Sequence, residues 1–148
     1  MITAVLFLGM GGGLGYAWFT STGDGDSAAS TGTSTPWQLD ADASVGDPLI
    51  PGGPETQTVD FTVTNPSSGN QKLNLVTVAV ANDDGTAWTS VAGCSAADYT
   101  VSITTAPTYD DVDAADTRSG QATISMNNRN ATQDGCKNAT VPLYFHAS

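Results

Sequence analysis

Asp110, Asp111, Asp113 and Asp116 fall within one short stretch, and oxygen ligands so closely spaced could wrap a calcium ion. The spacing is not that of an EF-hand loop, and a solvated acidic loop between two strands needs only turn propensity and no ion, so no metal is assigned. Asp24 with Asp26, and Asp83 with Asp84, repeat the pattern more weakly. Cys94 and Cys136 are the only cysteines, and His146, the one histidine, has no serine or cysteine nucleophile motif to serve. Trp37, Trp88, Tyr109 and Tyr144 could form a flat platform for stacking sugars or simply fill a core. With one His, one Glu and two Lys, the chain lacks most of what general-base catalysis, four-ligand zinc sites and phosphate clamps require. A net charge of -11 repels nucleic acid. No cofactor and no enzymatic activity are expected; an enzyme would need two Asp carboxylates at catalytic separation in a cleft.

The elements that must position these residues are short strands. Gly, Ser and Thr make up about a third of the chain, a composition that favours turns and polar strand faces over helices. Leu, Ile, Val and Phe contribute only about 18%, so the core is expected to be thin. After Pro36, Trp37, Leu39, Ala41 and Ala43 share one face of a first strand that stops at the Gly46-Asp47-Pro48 turn. Leu49 to Pro54 is a turn. Val59, Phe61 and Val63 alternate with polar residues in a second strand, which the Asn65 to Asn70 turn ends. The run Leu73, Leu75, Val76, Val78, Val80 shifts its inward phase by one residue, which predicts a β-bulge at Leu75-Val76. Asn82 to Gly85 is a turn, and Ser95 caps one helical turn before Asp98. Tyr99 to Ile103, Ala122 to Met126 and Val141 to Phe145 complete the set, with Pro142 favouring an edge position for the last. About seven short strands read as an all-β fold, an immunoglobulin-like antiparallel β-sandwich spanning residues 36–148.

Ahead of it, Met1 to Phe19 carries no charge and holds the apolar run Ala4 to Met10. This reads as a leader helix, residues 1–17, cut between Ala17 and Trp18; the alternative is an uncleaved membrane anchor. Residues 18–35 read as a flexible Ser/Thr/Gly-rich arm whose bulky side chains are Trp18 and Phe19. In an exported chain the two cysteines imply a Cys94–Cys136 disulfide, worth roughly 4 kcal/mol by loop entropy.

The junction Gly15-Tyr16-Ala17-Trp18-Phe19-Thr20-Ser21 resembles the leaders of the TasA and camelysin class of secreted proteins, which a dedicated signal peptidase of SipW type removes. The body is similar to small secreted proteins of high-GC Gram-positive bacteria in its Pro51-Gly52-Gly53 turn, its Asn65-Pro66-Ser67-Ser68-Gly69 break, Cys94-Ser95-Ala96-Ala97-Asp98-Tyr99, and Gln133-Asp134-Gly135-Cys136-Lys137. This resemblance implies a sandwich at the cell surface. In the TasA class subunits form matrix fibres by passing an N-terminal strand into a neighbour.

The resulting expectation is an exported, non-enzymatic surface or matrix protein whose chemistry is backbone pairing at sheet edges. Its partners would be further copies of itself, docked through Trp18 and Phe19, or cell-surface components. Membrane contact would come only through an uncleaved leader. The competing expectation is a carbohydrate-binding or adhesive module using exposed aromatics.

Overall fold

The structure, a computed structural model, describes residues 34–148; the leader, its cleavage site, Trp18 and Phe19 lie outside the described residues. In chain order the strands are β1 (Gln38–Ala41), β2 (Val45–Gly46), β3 (Thr56–Thr64), β4 (Gln71–Lys72), β5 (Val76–Val80), β6 (Tyr99–Thr105), β7 (Asp111–Val112), β8 (Thr117–Met126) and β9 (Leu143–Ala147). Single 3-10 turns occupy Ala96–Asp98 and Asp134–Cys136. Among the described residues no helix is long and apolar enough to cross a membrane.

Period-two alternation builds the centre. β3 buries Val59, Phe61 and Val63, and β8 buries Gly120, Ala122, Ile124 and Met126. The two pair antiparallel along their shared length, from Thr56 opposite Ser125 to Thr64 opposite Thr117. β1 and β2 line the free side of β3, and β6 lines the free side of β8, giving the order β1-β3-β8-β6. The facing layer is β5 paired with β9, with a small β4-β7 ladder at one end. All pairings are antiparallel. The fold is therefore an all-β antiparallel sandwich. Its strand order matches the A-B-E-D sheet of a seven-strand immunoglobulin-type sandwich, and β5-β9 matches C-F. Among the described residues, the seventh position, beside β9, holds no strand.

Three expectations need correction. The first strand does not run to Ala43: it ends at Ala41, both Ala41 and Ala43 are exposed, and Gly46 is in β2 rather than in a turn. Ala41 lies opposite Phe61 while Val45 lies opposite Thr58, so this edge carries one extra residue between the two pairings and bulges there. The phase shift expected as a bulge at Leu75-Val76 falls one residue earlier and coincides with a change of partner: the Asn74 and Leu75 N–H groups both donate to the Ser148 carbonyl, at 2.6 and 3.1 Å, two residues facing one as in a β-bulge. β4 pairs with β7, whereas β5 pairs with β9, and between them Leu73 is fully buried while Leu75 is exposed. β8 starts at Thr117 rather than Ala122, because Gly120 occupies an inward position where no large side chain fits.

At Gly120 a Cβ atom would collide with the edge of the Phe61 ring and lie 2.8 Å from the Thr105 carbonyl oxygen. Phe61 uses that space to meet Phe145 on β9, with ring centroids 5.0 Å apart. This contact joins the two sheets.

The Asn65 turn is more than a break. Asn65 is fully buried; its Nδ2 donates to the carbonyls of Gly69 (2.8 Å), Val112 (2.8 Å) and Asp113 (3.2 Å), and its Oδ1 accepts the Ser67 N–H (3.0 Å). Its backbone also bonds Asp116 and Ala115, which holds Ala115 in the left-handed region at φ 63°. One amide thus ties the β3–β4 turn to the β7–β8 loop.

Replacing Gly120 by Ala is expected to lower unfolding free energy by about 1–3 kcal/mol through overpacking. Asn65→Ala, which strands buried carbonyls and an N–H, should cost about 2–4 kcal/mol. Urea denaturation of each variant measures both.

Candidate functional site

The acidic run does not form a single chelating site. Asp110 receives a two-pronged ion pair from Arg118, Nε to Oδ1 at 2.8 Å and Nη2 to Oδ2 at 3.1 Å, and Asp116 lies 3.5 Å from Nη1 of the same residue. Hydrogen bonding to Arg118 holds the Asp110 carboxyl below its ordinary range. Asp111 and Asp113 are exposed on either side of the fully buried Val112. Strand alternation points this apolar anchor inward, so the segment expected to be a loop carries β7. Asp83 and Asp84 sit in the turn after β5; Asp84 Oδ1 accepts the N–H (3.0 Å) and hydroxyl (2.6 Å) of Thr86.

Cys94 and Cys136 are joined, with S–S 2.04 Å and Cα–Cα 4.8 Å. Asp98 lies beside them, but sulfurs already bonded to each other do not offer thiolate ligands. Asp98 is itself a structural centre that the sequence reading saw only as the end of a turn. It is 3% exposed. Oδ2 accepts the Ser95 N–H (2.9 Å) and hydroxyl (3.2 Å), while Oδ1 accepts from Gln133 Nε2 (3.0 Å) and Arg129 Nη1 (3.3 Å). Burial alone pushes the carboxyl up; the Ser95 N–H, Gln133, Arg129 and the Ser95 hydroxyl together outweigh it, leaving Asp98 below its ordinary value. Burial, and then the Asp98 charge, push the adjacent Tyr99 hydroxyl up. That hydroxyl lies 3.3 Å from Cys94 Sγ.

The four aromatics are not brought into one platform. Trp37 packs against the Phe61 cluster, and Trp88 against the Tyr99 cluster, with Trp88 and Tyr99 ring centroids 6.3 Å apart. Tyr109 is exposed, its hydroxyl accepting the Val76 N–H at 3.4 Å. Tyr144 lies on β9 close to Gly85. His146 is exposed on β9, opposite Thr77.

The feature with the greatest capacity for interaction is β9. It pairs with β5 along one edge only; along the other, its backbone groups have no strand partner among the described residues. β1 runs alongside without pairing to it. Between them lies a cleft of about 210 Å³ bounded by Leu39, Asp40, Asp83, Leu143 and Phe145. A second cleft of about 320 Å³ shares Leu143 and reaches Ile124 and Met126 in the core. The inward residues of β9, Leu143, Phe145 and Ala147, remain only half-buried, whereas those of β3 and β8 are covered. Val141 and Pro142, expected inside the last strand with Pro142 favouring an edge, lie just before β9; the apolar trough beside the strand had no sequence signal, because it depends on which strand lies next to β9.

Comparison with known protein families, curated proteins and solved structures finds no match.

Since the folded-state value of Asp98 lies below its unfolded value, the stability it contributes is complete above about pH 4. It is lost as pH falls from there through the folded value. The urea midpoint of the native protein should therefore drop through this acid window, and that of Asp98→Asn should start lower and drop less. Asp98→Ala should cost about 2–4 kcal/mol at neutral pH.

Proposed function

We propose that this is an exported, non-enzymatic structural protein of the cell surface or extracellular matrix, held in a larger assembly by strand addition. The observation that carries this reading is the edge of β9. An unpaired edge beside half-buried apolar side chains offers both the backbone bonds and the apolar sockets used by an added strand. The disulfide suits an oxidising compartment, and the apolar leader supports export. A sandwich lacking a strand beside an open core edge gains most from such an addition, since one event pairs N–H and C=O groups and covers Leu143 and Phe145.

A carbohydrate-binding reading has one observation in its favour: Trp88 lines a shallow cleft with Asn82, Asp83 and Asp84, a combination of aromatic face and polar groups suited to a sugar. It leaves the β9 edge unused.

Fractionating producing cells tests the proposal. The protein should be recovered from the envelope or matrix fraction in complexes larger than the monomer, and antibody labelling under the electron microscope should mark extracellular fibres or the cell surface. A cytoplasmic or freely monomeric protein would overturn it.

A further inference from the structure

We propose that the strand accepted by β9 comes from a different polypeptide and alternates apolar with basic residues. This rests on the strand-addition reading and adds the chemistry of the donor.

Charge beside the cleft selects the donor. The chain has four Lys and Arg; three are held in ion pairs, and none of the four lines the cleft. Arg118 pairs with Asp110 and Asp116, Arg129 with Asp98, and Lys137 with Asp134; Lys72 lies near Asp110 and helps to lower its pKa. Asp40 on β1 and Asp83 in the turn after β5 bound the cleft beside β9. Both are exposed, and neither has a Lys or Arg partner among the described residues. A strand laid along β9 therefore runs between carboxylates with no countercharge.

Alternation supplies the rest. β9 has five residues, spanning about 16 Å. A partner strand beside it sends every second side chain toward Leu143 and Phe145, and the intervening ones outward to the rim. Apolar residues suit the first set and Lys or Arg the second. The chain's own 18–35 arm fits poorly, because it brings Asp24 and Asp26 and no basic residue to an already acidic rim. Like charges directly opposite one another on paired strands are destabilising.

The test uses the purified protein and four synthetic peptides: one alternating Val with Lys, one alternating Val with Glu, one of the Val/Lys composition with the lysines grouped, and one of residues 18–35. Affinity is measured by calorimetry at low salt, and amide hydrogen exchange of β9 is followed by NMR. The alternating Val/Lys peptide should bind at least about tenfold more tightly than the other three, a difference of about 1.4 kcal/mol, and should slow exchange in β9. Changing the exposed pair to Asp40→Lys and Asp83→Lys should transfer the preference to the Val/Glu peptide. Equal binding of the grouped and alternating Lys peptides would show charge attraction without strand pairing, and would overturn the inference. Tighter binding of residues 18–35 would overturn it in favour of a second copy, leaving strand addition intact. So would affinities that ignore the charge reversal. If no peptide slows β9 exchange, or if β9 is already protected in the protein alone, strand addition from another molecule falls as well.

Discussion

Phe61 lies across Gly120 and meets Phe145, and the rest of the sandwich is arranged around that contact. Two sheets with few large apolar residues can bury a common interior only if the ones they have interlock. Phe61 is fully buried, and it reaches across the layer because the position opposite it on β8 has no side chain. This fixes where β9 sits against the first sheet and orients Leu143 and Ala147 inward on either side of Phe145. Among the described residues it leaves the far side of β9 with β1 alongside but no hydrogen-bonded strand partner, so the unpaired edge follows from how a thin core is distributed.

Away from that contact, polar groups take over work that apolar packing does in richer cores. At one end Asn65 bonds three carbonyls and one N–H and locks together the two loops that lie between the β3–β8 and β4–β7 pairings. At the other end the Cys94–Cys136 bridge, the Asp98 carboxylate and its four donors tie the start of β6 to the segment that leads into β9. Both centres are specific in a way hydrophobic contacts are not: a buried carbonyl or carboxylate left without its partner is penalised. Beside β9 the described residues provide no comparable polar lock, and there the outer backbone groups are without a strand partner.

Charge follows the same division. The few cations are drawn to acids at the two structured ends, which leaves Asp40 and Asp83 without countercharge beside the cleft. Exposed carboxylates on a sheet edge also discourage pairing between identical copies, a known protection against edge-to-edge aggregation. The same carboxylates select among donors by charge once a strand of another kind is offered.

Period-two alternation marked β3, β6 and the apolar half of β8, turn residues marked their ends, and two cysteines left a single intramolecular pairing. These are local properties: each is set by residues a few positions apart, and so the sequence by itself determined an all-β chain with one disulfide. The split of the third strand, the start of β8 at Thr117, the roles of Asn65 and Asp98, and the dispersal of the four aromatics were not legible in that way. In each case the decisive partner is remote in sequence: Asp110 and Ser148 for the segment around Leu73 to Leu75, Phe61 for Gly120, Val112 for Asn65, Gln133 and Arg129 for Asp98. The trough beside β9 is the extreme case. Alternation in Leu143, Phe145 and Ala147 says that one face is apolar, but whether that face is covered depends on how many strands lie beside it, and only the tertiary arrangement of the sheets sets that number.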